Sequence, residues 1–77
     1  MKKNICGPRL QAARKALGLK QEDVVAELSV TYQINMDRSA LGRIERQDRS
    51  ISDIELFALV EILKVDLAEL FALDRML

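Results

Sequence analysis

Four arginines and a serine within residues 36–49, MDRSALGRIERQDR, carry the most distinctive chemistry of the chain. Placed on a helix at about 100° per residue, Arg38, Ser39, Gly42, Arg43 and Arg46 fall in one arc, and Ala40, Leu41 and Ile44 fall opposite. A short helix of this kind docks its apolar side on a core and holds guanidinium groups outward. Guanidinium is a planar fork of donors that engages two acceptors at once, on a guanine edge or on a phosphate. The arrangement suits a helix that enters a DNA major groove. It suits a plain solvated surface as well, and the segment alone does not separate the two readings.

The chain offers little other chemistry. Histidine is absent and Cys6 is the sole cysteine, which excludes, within one chain, a disulfide, a zinc site of Cys and His, and a Cys/His catalytic pair. Cys6 reads as the reduced thiol of a cytosolic protein. Ser39 has arginine neighbours but no general base, and no glycine-rich phosphate loop occurs. The sequence therefore reads as a non-enzyme without a cofactor. Tyr32, Phe57 and Phe71 are the only aromatic residues, too few for a platform that stacks single-stranded bases. The start, MKKNICGPRL, has no apolar run of the signal-peptide kind. Residues 54–77 are apolar-rich but broken by Glu55, Glu61, Lys64, Asp66, Glu69, Asp74 and Arg75, so no membrane span is expected and the reading is cytoplasmic.

The elements that position the arginines must be small. Seventy-seven residues make one domain, 1–77, and a chain of this length buries only about 60–65% of its unfolded surface. The net charge of zero hides a split: residues 1–49 carry +4 and residues 50–77 carry −4. The first two-thirds could face a polyanion, although a split of this size also arises by chance.

Hydrophobic spacing and caps predict an all-α chain of five helices, at about 8–17, 21–32, 38–46, 53–63 and 67–73. Pro8 suits the first helical position, Leu10, Ala13 and Leu17 form a buried stripe, and Gly18 ends the helix in a left-handed cap. Glu22 and Asp23 favour the start of the second helix, and Val24, Val25 and Leu28 form its core face. Its end is open, with Asn35 as a plausible stop. Asp37 caps the third helix, and Gly42 within it, which costs about 1 kcal/mol against alanine, reads as neutral rather than as a close approach. Ser52 and Glu55 form a capping box for the fourth, whose core set is Leu56, Leu59, Val60 and Leu63 with Phe57 partly shared. Asp66 repeats that logic for the fifth, with Leu67, Leu70, Phe71 and Leu73 on its apolar side.

In order, residues 9–14 (RLQAAR), 18–28 (GLKQEDVVAEL), 38–46 (RSALGRIER) and 63–71 (LKVDLAELF) resemble the Cro and phage-repressor type of helix-turn-helix protein, the XRE family. The resemblance runs from about Arg9 to Leu73. It implies a compact five-helix, lambda-repressor-like domain that binds double-stranded DNA with the third helix in the major groove. On the same resemblance, Arg38, Ser39 and Arg43 face bases, and Gln21, Arg46 and Arg49 contact phosphates. Arg14 and Glu45 match a family pair that ties the first helix to the end of the third, a support and not a reader; if exposed, such a pair adds about 0–1 kcal/mol.

Three departures stand out. Residues 29–34 exceed the usual short turn between the second and third helices, so that the second helix is longer or the loop bulges. Lys20 occupies the usual Ser/Thr cap position, and Gln47 stands where glycine often ends the third helix, which leaves the path toward Arg49 open. One helix reads few base pairs, so a homodimer on a two-fold operator is expected, joined through the C-terminal third by Leu70, Phe71, Leu73, Met76 and Leu77. Those residues could instead close the monomer core. The alternative from a different class is a protein-interaction module on the same fold, such as the antitoxin of a toxin–antitoxin pair.

Overall fold

The computed structural model describes residues 1–71, and among them there are five α-helices and no strand. They are α1 (Gly7–Ala16), α2 (Gln21–Tyr32), α3 (Arg38–Glu45), α4 (Asp53–Leu63) and α5 (Leu67–Phe71). Both α3 and α4 pack on the α1–α2 pair. Leu10 of α1, Val24 and Leu28 of α2, Leu41 and Ile44 of α3, Leu59 of α4 and Leu70 of α5 are fully buried where these helices meet. Cys6, Met36, Ala40, Ala58 and Leu63 complete the core.

The caps predicted at Asp37, Ser52 and Gly18 form, whereas Asp66 accepts from the Ala68 N–H at 2.9 Å without the return bond of a box. Asp37 Oδ1 accepts from the Ala40 N–H at 2.7 Å, and Ser52 and Glu55 cap each other reciprocally at 3.1 and 3.0 Å. Lys20 cannot accept a bond from the first turn of α2, but Asp23 reaches back to the Lys20 N–H at 2.8 Å and supplies the return half of a box. Gly18 takes the left-handed conformation at φ 71°, and Leu19 N–H closes on the Arg14 carbonyl at 3.1 Å. The same closure recurs without glycine. Gln47 at φ 68° lets Asp48 N–H bond the Arg43 carbonyl at 2.8 Å, and Lys64 at φ 56° lets Val65 N–H bond the Val60 carbonyl at 3.2 Å. The missing glycine at position 47 thus leaves the turn intact, at the usual strain of a side chain in this region.

Several expectations are corrected. Helix α1 begins at Gly7, one residue before Pro8. Leu17 leaves the predicted stripe and is 45% exposed, because the helix has already ended at Ala16. The long second helix, not a bulging loop, accounts for the extra residues: α2 runs to Tyr32 and stops at Gln33, left-handed at φ 56°, rather than at Asn35. Helix α3 ends at Glu45, with Arg46 as its C-cap. In α4 the buried positions are Ala58, Leu59 and Leu63, while Leu56 and Val60 are half-buried. Phe57 is not shared with the core; it is 62% exposed and meets Tyr32 edge-on, with ring centroids 6.3 Å apart. Leu70 is buried and Phe71 half-buried, so both close the monomer core and leave little for a partner, and Leu67 is exposed. Leu73, Met76 and Leu77 lie outside the described residues, as does the predicted end of the fifth helix.

Candidate nucleic-acid interface

Helix α3 has the two faces its sequence predicts. Ala40, Leu41 and Ile44 are buried, and Arg38, Ser39, Arg43 and Arg46 are exposed. Arg43 has no ion pair among the described residues. Arg38 lies 3.8 Å from Glu22 in the first turn of α2, with both side chains largely in solvent. Arg46 lies 3.5 Å from Asp48 in an equally open pair. Contacts of this kind cost little to break, so the three guanidinium groups remain available to an anion.

The inner side of the same helix end is built differently. Glu45 is only 5% exposed and Arg14 only 8%. Arg14 Nε donates to Glu45 Oε2 at 2.7 Å and Nη2 donates to Oε1 at 3.1 Å, a two-pronged pair. Arg14 Nη1 also donates to the Leu19 carbonyl at 2.9 Å. Gln21 Nε2 reaches Glu45 Oε1 at 2.9 Å and Gln11 Nε2 reaches it at 3.4 Å. One carboxylate on α3 is therefore held by two residues of α1 and one of α2. The pair is buried, which corrects the energetic scale set for an exposed one: removing one partner strands a charge and costs about 3–5 kcal/mol.

Gly42, expected in the outward arc, is buried. A Cβ at this buried position would lie 3.3 Å from Arg46 Nη1 and 3.7 Å from Gln21 Nε2. The Arg46 guanidinium and the Gln21 amide lie over the helix at this position, so the two expected phosphate-contacting groups converge at one place. The Gln21 amide is already engaged by Glu45, which fixes its position and leaves it one further N–H.

Arg49 stands apart from that cluster. It donates to both carboxylate oxygens of Glu55 at 3.0 Å and to the Ser50 carbonyl at 2.9 Å. A phosphate would have to share its guanidinium with Glu55. The side-chain bond to Glu55 raises the Arg49 pKa further, and the bond from Arg49 is the largest cause holding the Glu55 carboxyl below its usual range. Burial pushes the Cys6 thiol up, with Arg9 opposing, so Cys6 is a buried thiol with no activation.

Sequence reasoning missed Asn4, Gly7 and Gln11, which hold the end of α3 from the N-terminal side. The signal for Asn4 was weak: asparagine readily accepts from backbone N–H groups two and three residues on, but it stands two residues ahead of the N-cap Cys6. Starting the helix on Pro8 hid it.

Five helices with an arginine face outside and an anchored carboxylate inside have the architecture of a helix-turn-helix domain. A helix-turn-helix family model matches residues 10–70, and the chain belongs to that family, in its XRE-type, Cro-like branch of transcription regulators. Neither the curated proteins nor the solved structures give a match to the chain. Among the described residues no helix is long and apolar enough to cross a membrane.

Proposed function

We propose that the protein is a sequence-specific regulator that binds double-stranded DNA as a homodimer, with α3 in the major groove of each half-site. The observation that carries this reading is the division of α3: Arg43 is free on the outward face while Glu45, two residues on, is locked between α1 and α2. Arg38, Ser39 and Arg43 face the bases. Gln21 and Arg46, which converge over Gly42, take a phosphate, and Arg49 adds a second if it exchanges Glu55 for one. Arg14 and Glu45 set the presentation of the helix and read nothing.

Dimerisation is assigned to the C-terminal third, where Ile54 and Phe57 are 67% and 62% exposed. A protein partner, as for an antitoxin, is the second reading; the 80% exposure of Val30 at the end of α2 adds to the apolar surface that favours it.

Selection of a preferred duplex from a random pool, followed by titration of the wild type and Arg43→Ala, tests the proposal. Arg43→Ala is expected to weaken binding to the selected duplex by about 1–3 kcal/mol and to relax the preference at one base pair. A pool that yields no preferred duplex would sink the reading, as would an Arg43→Ala variant that binds unchanged.

A further inference from the structure

The segment ahead of α1 packs against the end of α3, and one amide organises the contact. Asn4 Nδ2 donates to the Ile44 carbonyl at 3.0 Å and to the Arg49 carbonyl at 2.8 Å. Its Oδ1 accepts from the N–H of Cys6 at 3.0 Å and of Gly7 at 2.7 Å. Two donors and two lone pairs are the full inventory of an asparagine side chain, and all are used. Cys6 gives α1 no side-chain cap, so Asn4 supplies it. The backbone joins in: Lys3 N–H donates to the Gln47 carbonyl at 3.0 Å, and Gln47 Nε2 donates to the Asn4 carbonyl at 3.0 Å. Gly7 permits the fit, since a Cβ there would stand 2.3 Å from the Ile44 carbonyl oxygen and 2.8 Å from that of Glu45.

We infer that Asn4 is a positioning residue for sequence discrimination: it holds the last turn of α3 and the start of the following loop in one register against α1. The inference rests on the DNA-binding reading. Asn4 acts through the Ile44 carbonyl, which lies in the peptide unit joining Ile44 to the anchored Glu45, one residue past the outward Arg43. A two-pronged contact with a base edge demands a fixed guanidinium position, whereas a phosphate contact tolerates a shift. Loss of Asn4 therefore weakens discrimination more than general affinity for DNA.

The test measures binding of the full chain to its selected duplex and to a random duplex, for wild type and Asn4→Ala, at a temperature where both are folded by circular dichroism. The ratio of the two affinities is expected to fall about tenfold, with random-duplex affinity changed less than about threefold. An equal loss on both duplexes, or no loss, overturns the inference. Amide exchange without DNA supplies a readout independent of the binding reading. Exchange within residues 40–45 should accelerate about tenfold relative to α4 in Asn4→Ala, and an unchanged α3 overturns the inference even if the wild type binds no duplex. Should Asn4→Ala not fold, Gln47→Gly carries the same tests. It removes the Nε2 bond to Asn4 while placing glycine at a φ of 68°, and about a threefold change in each readout is expected; no change in either overturns the inference.

Discussion

Two arginine–carboxylate pairs bracket the end of α3, and they differ in almost everything but their chemistry. Arg14–Glu45 lies inside the domain, joins residues 31 apart in sequence and shares its carboxylate with Gln11 and Gln21. Arg49–Glu55 lies at the rim, joins residues 6 apart and doubles as part of the cap of α4. Each is two-pronged. Geometry therefore does not separate their contributions; burial and the neighbours do. A buried pair is defined by what happens when one member is lost, because the other is left charged and dry. The rim pair is only part-covered, its side chains 31% and 17% exposed, so water replaces a lost partner in part and the cost is smaller.

The sharpest way to break this contrast is to truncate each acid. Glu45→Ala should lose about 3–5 kcal/mol in urea unfolding, against about 0–1 kcal/mol for Glu55→Gln. Equal losses would mean that the two pairs are energetically alike after all. Replacing the whole buried pair, as in Arg14→Met with Glu45→Leu, should recover most of that stability, to within about 1–2 kcal/mol of the wild type. Discrimination between DNA sequences should not recover, because an apolar contact lacks the directional bonds to Gln21 and Leu19. A double variant that keeps full discrimination would reduce the pair to a space filler.

The smallest expected effect concerns acid. Glu55 is held below the ordinary carboxylate range, so its folded state binds a proton less readily than its unfolded state. The stability it contributes is complete above the unfolded value of about 4.3 and is lost as pH falls through the lower folded value. Urea midpoints taken from pH 6 downward should therefore fall slightly more steeply in the wild type than in Glu55→Gln below about pH 4.3. Parallel curves would remove the rim pair from the acid response.

The helices were legible because their signals are local. Asp37, Ser52 with Glu55, and Gly18 each act within a few residues, and each cap forms where its spacing places it. The two faces of α3 were legible for the same reason, as was the Arg14–Glu45 link through the family pattern. What escaped depends on residues brought together across the chain. Nothing near Arg49 announces that Glu55 will take its guanidinium. Arg46, four residues past Gly42 on the same face, could be expected over it, but nothing near Gly42 announces that Gln21 will lie there too. Asn4 bonds residues 40 and 45 positions away, and its cap role was hidden by a proline that offered a simpler start. Leu70 illustrates the same limit for apolar residues, since composition counts surface but does not say which side of it faces the core.

The carboxylate of Glu45 binds α1, α2 and α3 into one body, which restricts how this domain can adapt to a target. On the proposed docking, α3, tied to α1 and α2 through the Glu45 side chain and to Asn4 through the Ile44 carbonyl, has no inexpensive way to tilt or slide in the groove. On that reading the adjustment falls on the exposed arginine side chains and on the duplex. DNA that bends or narrows easily at the right steps would bind more tightly than stiff DNA with the same contacted bases. On the proposed reading, such a domain selects for mechanics as well as for letters.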